Sequence, residues 1–282
     1  MVAVQWYPGH MEKARRAMQD SLKQVDMVIE VRDARIPEAS RNPMLDQMIQ
    51  GKARLVILSK SDLADPEATA LWLQKLNSQN QKALALDLAS DHSARTQIIS
   101  ACMELTAAKR EKMKARGILN PRAMRAMACG IPNVGKSTLI NRIAGKNAAR
   151  TEDRPGVTRN LAWIHADRAL DVLDTPGVLW PKFTDEHTGE HLAALGSVNE
   201  EIVDRSEIAL AAIALIQKRY PGLLEKAYQC DGGNAQKVLA GVASARALLK
   251  EGGSPDLRRA ADLFLHELRR GALGRITLEW PQ

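Results

Sequence analysis

Apolar residues along this chain fall first into short unbroken runs and later into a helical period. Met27 to Val31, Leu55 to Leu58, Ala83 to Leu88 and Ala123 to Cys129 are continuous apolar or near-apolar runs bounded by turn residues. Such runs predict strands buried on both faces of a parallel sheet. Between them, Ala68 to Leu76 carries Leu71, Leu73 and Leu76, and Thr96 to Lys114 carries Ile98, Ile99, Cys102, Met103 and Leu105. Both stretches predict helices that cover a sheet face. The alternation predicts an α/β domain with a mostly parallel sheet and helices on both faces. A further helix is predicted over Lys136 to Ala144, and two strands, Asn160 to His165 and Ala169 to Leu173, turning at Ala166-Asp167-Arg168.

Past about Pro181 the texture changes. Ile202, Ile208, Ala212, Leu215 and Ile216 give Glu201 to Arg219 a helical spacing, and helices are predicted at Gly222 to Tyr228, Ala235 to Leu249 and Leu257 to Arg270. Gly232-Gly233 and Gly252-Gly253-Ser254-Pro255 supply the breaks. The expected division is an α/β domain over 1–181 and a small all-α domain over 182–282.

Composition narrows the class. Of 282 residues, 45% are hydrophobic and 26% charged, which is globular, and no apolar run approaches the ~20 residues that span a bilayer. The first ten residues lack the basic and apolar regions of a signal peptide and the Arg- and Ser-rich pattern of a transit peptide, so a soluble cytoplasmic protein is expected. Cys102, Cys129 and Cys230 are widely spaced and are expected to be small buried hydrophobes. The net charge of +7 is local: residues 101–150 hold eleven basic residues and two acids, concentrated at Lys109, Arg110, Lys112, Lys114, Arg116, Arg122 and Arg125. That surplus is either a solvated helical face or a surface for RNA phosphates.

The chemistry lies in four segments. Residues 130–137, Gly-Ile-Pro-Asn-Val-Gly-Lys-Ser, match the complete phosphate loop G-x-x-x-x-G-K-[ST] after a predicted strand and before a predicted helix. Gly130 and Gly135 permit the tight path, Val134 and Gly135 bring backbone N–H groups to the phosphates, Lys136 neutralises β/γ oxygens, Ser137 suits magnesium and Thr138 approaches the α-phosphate. Asp174-Thr175-Pro176-Gly177 has the form of a switch motif, with Asp174 toward magnesium and the Gly177 N–H toward the γ-phosphate. Thr158, in Pro155-Gly156-Val157-Thr158, offers a second hydroxyl for magnesium. Ser59-Lys60-Ser61-Asp62 resembles the guanine-reading Asn-Lys-x-Asp: Asp62 accepts from the base N1–H and amine, and the Lys60 stem packs on the ring. Here Ser59 replaces asparagine, with less reach for bracing the loops, and Asp87-Leu88-Ala89 lacks the usual Ser-Ala near the base. The base-reading motif precedes the phosphate loop, the reverse of the ordinary GTPase order.

That order resembles the circularly permuted GTPases. Trp6-Tyr7-Pro8-Gly9-His10-Met11, with Lys13-Ala14, the segment Asp26 to Pro37 and the phosphate loop are similar to the YlqF/RbgA branch over roughly residues 5–182. The resemblance implies a GTPase that assists assembly of the large ribosomal subunit, binding GTP or GDP with Mg2+, with the precursor particle and its rRNA as partners and no membrane attachment. A monomer is expected. It also implies an RNA-binding helical tail, for which Arg258, Arg259, Arg269 and Arg270 are candidates, although the tail's thirteen basic and fourteen acidic residues nearly balance. Val178 stands where many GTPases carry the water-orienting glutamine, and the resemblance makes His10 the catalytic candidate. Asn133 is similarly placed to an asparagine that lets related GTPases use K+. Two competing readings are an RNA-binding scaffold with GTP as a structural ligand, and a P-loop ATPase or kinase, against which Asp62 argues.

Overall fold

Alternate residues of the strand Ala53–Ser59 (β2) face two different cores. Leu55 and Ile57 join the large apolar cluster, whereas Val56 and Leu58 join a smaller one with Trp72 and Leu76. Successive strand side chains point to opposite faces, so β2 belongs to a sheet covered by helices on both sides. The structure, a computed structural model, describes residues 9–49, 51–118, 122–145, 161–180, 186–198 and 204–281.

The sheet has six strands in the order β3 (Gln81–Leu86), β2, β1 (Met27–Asp33), β4 (Met124–Gly130), β6 (Leu170–Asp174), β5 (Ala162–Asp167). Every neighbouring pair is parallel except the β5–β6 hairpin. The register sets Asp33 beside Ser59, Val31 beside Gly130 and Ala128 beside Asp174. The loops leaving β1, β2, β4 and β6 therefore emerge at one edge, where open α/β sheets bind ligands.

The helices are α1 (Gly9–Leu22), α2 (Pro43–Met48), α3 (Pro66–Leu76), α4 (Ala94–Leu105), α5 (Ala107–Ala115), α6 (Lys136–Ala144), α7 (Glu186–Ala194), α8 (Arg205–Arg219), α9 (Leu223–Tyr228), α10 (Ala235–Ala245) and α11 (Leu257–Arg270). Ile98 and Cys102 of α4 and Leu139, Ile140 and Ile143 of α6 fill the large core. Helices α8, α10 and α11 form the helical end. Ala209, Ala212, Val242, Ala243, Ala260 and Ala261 are buried between them, and their small side chains let the backbones approach closely around Ile213, Ile216 and Phe264.

The expected elements recur with specific departures. The helix predicted over Thr96 to Lys114 is two, because Thr106 (φ −103°) breaks it and turns its hydroxyl back to the Cys102 carbonyl at 2.7 Å. The helix expected to reach Leu249 ends at Ala245, and Leu249 instead bridges to Pro255 across Gly252 and Gly253, both at positive φ. α8 starts at Arg205, where Asp204 caps it. Helices α1, α2 and α7 were not expected. The expected boundary between Pro181 and Lys182 lies outside the described residues.

Residues 275–281 also run back over the sheet domain. The Ile276 N–H donates to the Leu63 carbonyl (3.0 Å), Leu278 N–H to the Arg35 carbonyl (2.9 Å) and Trp72 Nε1 to the Glu279 carbonyl (2.8 Å). Cys102 and Cys129 are buried as expected, and burial pushes the Cys102 thiol up to about 12. No helix among the described residues is long and apolar enough to cross a membrane.

Gly130 ends β4 against the backbone of β1: a Cβ there would sit 2.8 Å from the Val31 carbonyl oxygen. Backbone cannot rotate away as a side chain can, so Gly130→Ala forces the two central strands apart. The expected cost is ~1–3 kcal/mol, read as a lower urea midpoint at unchanged slope; an unchanged midpoint would mean that the strands yield freely.

Candidate nucleotide site

The phosphate loop is built as an anion cradle. Asn133 (φ +61°) and Gly135 (φ +89°) both adopt left-handed backbone, and α6 begins immediately afterwards. Helices α2, α3, α8, α10 and α11 each have a side-chain cap, from Asn42, Asp65, Asp204, Asn234 and Asp256. α6, like α4, α5 and α9, has none, and no acid lies in its first turn. Its first N–H groups, with the positive end of the helix dipole, suit an anion. Ser137 and Thr138 occupy that first turn. Lys136 Nζ lies 2.5 Å from Asp174 Oδ1 and both side chains are buried, so the ends of β4 and β6 meet in one ion pair. The hydroxyl of Ser137 and the carboxylate of Asp174 are hard oxygen donors, the type magnesium takes.

The segment after Asp174 is pinned to this loop. Thr175 Oγ1 donates to the Ala128 carbonyl (2.8 Å), and Val178 N–H to the Gly130 carbonyl (3.3 Å). A Cβ on Gly177 would lie 3.1 Å from Pro132 N, so a side chain there would push the segment off the loop. Asn42 Nδ2 donates to the Val178 carbonyl (2.7 Å). The Val178 side chain is buried in the core, as an aliphatic group unable to orient water should be.

The loop Ser59 to Asp62 is tied to the phosphate loop at two points. Ser59 Oγ, fully buried, lies 2.6 Å from the Val134 carbonyl and 2.9 Å from that of Arg32, so its single proton bridges β1, β2 and the phosphate loop. The shorter side chain thus still braces the loop, because the parallel register brings it directly beneath Gly135. Lys60 (φ +55°) extends its ammonium to the Asn133 carbonyl (2.7 Å) and to Asp33 Oδ2 (2.9 Å). Asp62 is exposed; desolvation and the neighbouring Asp87 charge raise its carboxyl above the ordinary value. Arg142 of α6 donates to the carbonyls of Leu88 and Ala89, and Asp87 accepts from the Ala89 and Ser90 N–H groups, so the loop after β3 is fixed without a Ser-Ala pair.

Some expected positions are not brought in. Thr158 lies outside the described residues, and His10 is the second residue of α1 with its side chain outside them. In the basic stretch, Lys109 and Arg122 are paired with the buried carboxylate of Asp26 at 2.6 and 2.8 Å. Arg125 stacks on the exposed Trp163, 5.1 Å from the ring centroid. Asp26, Lys109 and Arg122 lie at the opposite end of the sheet from the phosphate loop, while α5 keeps an exposed basic surface. In the tail, Arg269 is engaged internally, donating to the Ala193 and Ala194 carbonyls at the end of α7; Arg258, Arg259 and Arg270 are exposed.

A family described as "50S ribosome-binding GTPase" matches residues 125–232, beginning at the phosphate-loop strand. A Priestia megaterium protein named "Ribosome biogenesis GTPase A" is 43% identical over 282 residues, covering 99% of this chain and 98% of that one. A Thermotoga maritima protein of the same name is 30% identical, covering 98% and 94%. The chain belongs to the ribosome biogenesis GTPase A family. Among solved structures, a GDP-bound YlqF aligns with TM-score 0.68 at 26% identity over 94% of this chain and 99% of that one. A GNP-bound YlqF from T. maritima aligns with TM-score 0.66, again at 26% identity, over 96% and 99%. Family membership accounts for the motif order: the GTPase domain is circularly permuted, so Ser59 to Asp62 precede the stretch that the family match covers.

Asp33 and Arg35, which belong to none of the four motif segments, are the hub that ties these loops together. Asp33 is fully buried; burial raises its carboxyl, but the charges of Arg35 and Lys60 outweigh that and hold it well below the usual range. Arg35 meets both Asp33 oxygens at 2.8–2.9 Å, and its Nη1 donates to the Arg269 carbonyl at the end of α11 (2.9 Å). Asn133 Nδ2 donates to the Gly196 carbonyl (2.6 Å) after α7, and Gly196 lies against the Arg269 guanidinium. The signal was Asp-x-Arg at the end of a buried strand.

Removing one partner of a buried charge pair costs ~3–5 kcal/mol, so Asp33→Asn should lower stability by about 3 kcal/mol at neutral pH. Because the folded carboxyl lies below its unfolded value, its stabilisation is complete above the ordinary carboxylate range and is lost as pH falls through the lowered value. Urea titrations should show a smaller acid loss for Asp33→Asn than for the wild type; parallel pH profiles would contradict this assignment.

Proposed function

We propose that this protein binds GTP at the edge where β1, β2, β4 and β6 end, hydrolyses it to GDP and phosphate, and acts in assembly of the large ribosomal subunit. The observation that carries the reading is the uncapped start of α6, joined through Ser59 and Val134 to a loop that presents Asp62. The relatives' names support ribosome biogenesis over the scaffold alternative. In this reading residues 1–181 form the permuted GTPase domain and 182–282 the helical domain, acting as a monomer in the cytoplasm on the precursor particle and its rRNA. The exposed face of α5 and Arg258, Arg259 and Arg270 are the basic groups available to RNA phosphates.

The chain's own residues divide the work. N–H groups from Val134 to Thr138 bind the phosphates, Lys136 neutralises the β/γ oxygens, and Asp62 accepts from the guanine N1–H and amine while the Lys60 stem flanks the ring. A magnesium ion carried with the nucleotide would be held by Ser137, Thr158 and Asp174 and would offset the charge that develops on the phosphates. Asn133 is the residue that would hold K+. Val178 cannot orient the attacking water, so another group or the bound particle must, and the resemblance to the family's Pro-Gly-His element assigns that role to His10, in the first turn of α1.

Multiple-turnover hydrolysis with and without large-subunit precursor particles tests the proposal: turnover should rise with particles. His10→Ala should reduce the stimulated rate by about 100-fold, the lower range for a positioned acid–base group, with GDP affinity unchanged. Stimulated turnover equal to wild type would remove His10 from the mechanism.

A further inference from the structure

The turn that carries Asp62 is held from outside by the end of the chain. Within the turn, Leu63 N–H donates to the Lys60 carbonyl (3.0 Å) and Ala64 N–H to the Ser61 carbonyl (3.4 Å). Residues 275–277 engage the positions on either side of Asp62. Arg275 donates through Nη2 to the Ser61 carbonyl (3.0 Å) and through Nε to the Ala64 carbonyl (2.8 Å). The Ile276 N–H reaches the Leu63 carbonyl (3.0 Å), and Thr277 Oγ1 accepts from the Asp65 N–H (3.0 Å). The Leu63 side chain is trapped beneath Gly271, where a Cβ would lie 2.7 Å from Leu63 Cδ2.

This strap is itself well anchored. Ile276, Thr277 and Leu278 are buried, and the Thr277 N–H and carbonyl both meet the Tyr220 hydroxyl of the helical end, at 3.0 and 3.2 Å. A planar guanidinium is suited to such a grip, since its fork spans two acceptors at fixed spacing. Asp62 itself stays exposed. A carboxylate that must accept two hydrogen bonds from one base edge depends on its backbone being fixed, because such bonds weaken steeply off their preferred angle.

We propose that Arg275, within the strap Arg275–Thr277, is a positioning residue for guanine recognition, fixing the backbone around Asp62 so that its carboxylate meets both donors of the base. The inference rests on the base-reading role given to Asp62 above. It makes nucleotide specificity depend on a residue at the far end of the chain from the motif.

The test is calorimetric binding of GDP and IDP to the full chain. IDP lacks the exocyclic amine and so forfeits one of the two bonds to Asp62, while its phosphates bind as those of GDP do. A hydrogen bond to a charged group is worth ~1.5–3 kcal/mol, so the wild type should prefer GDP by about 10- to 100-fold. Arg275→Ala should weaken GDP about tenfold and IDP much less, narrowing the ratio. Arg275→Lys, which keeps the charge but loses the fork, should narrow it similarly and carries the test if the alanine variant folds poorly; retained IDP binding reports an intact phosphate site. An unchanged GDP-to-IDP ratio in a variant that binds IDP would overturn the proposal. An Asp62→Asn chain that keeps the wild-type ratio would instead overturn the base-reading assignment beneath it, and the proposal with it.

Discussion

The carboxylate of Asp33 is the constraint on which the site depends. It sits fully buried at the end of a central strand, and two cations converge on it, Arg35 from the following turn and Lys60 from the neighbouring strand's loop. Burying one charge without partners would cost several kcal/mol, so the three groups hold one another in place. Each cation then has donors left over. Lys60 spends one on the Asn133 carbonyl of the phosphate loop, and Arg35 spends others on the last carbonyls of α11. One buried charge thereby joins the Ser59–Asp62 loop, the phosphate loop and the end of α11.

The circuit closes on its far side. Arg269, whose carbonyl Arg35 holds, directs its own guanidinium to the end of α7, and the Gly196 carbonyl just beyond accepts from Asn133. Chain order makes this arrangement possible. In this permuted domain the next described element after β6 is α7, not a further strand. The strap at residues 275–281 returns from that end to the turn that carries Asp62, so the phosphate loop and the Asp62 turn are each held by the helical end.

Strands were legible in the sequence to within about two residues, since a sheet covered on both faces needs continuous apolar runs. The phosphate loop was equally plain, because its backbone path and charge admit few residue types. Harder to read were the groups whose partners are set by register. Ser59 looked too short to replace asparagine until β2 was seen to place it beneath Val134 and Gly135, where a short side chain suffices. Asp33 and Arg35 look like an ordinary charged turn until parallel pairing brings Lys60 alongside. The strap was hidden for another reason: its side-chain and backbone groups bind carbonyls and N–H groups of a turn more than two hundred residues away, and such pairing leaves no periodicity. Helices α1, α2 and α7 are short or rich in polar residues, so their amphipathic signal was weak, although Asn42-Pro43 is a proper helix start. The basic stretch admitted two readings, a solvated helical face or a surface for RNA phosphates; Asp26 takes Lys109 and Arg122 for the sheet, while the rest of α5 stays exposed.

Coupling between the phosphate loop and the helical end is the central claim, and sedimentation of the full chain with large-subunit precursor particles tests it most directly. The coupling predicts that association differs by nucleotide, stronger with GTP or a non-hydrolysable analogue than with GDP. Equal association in all three states would contradict it.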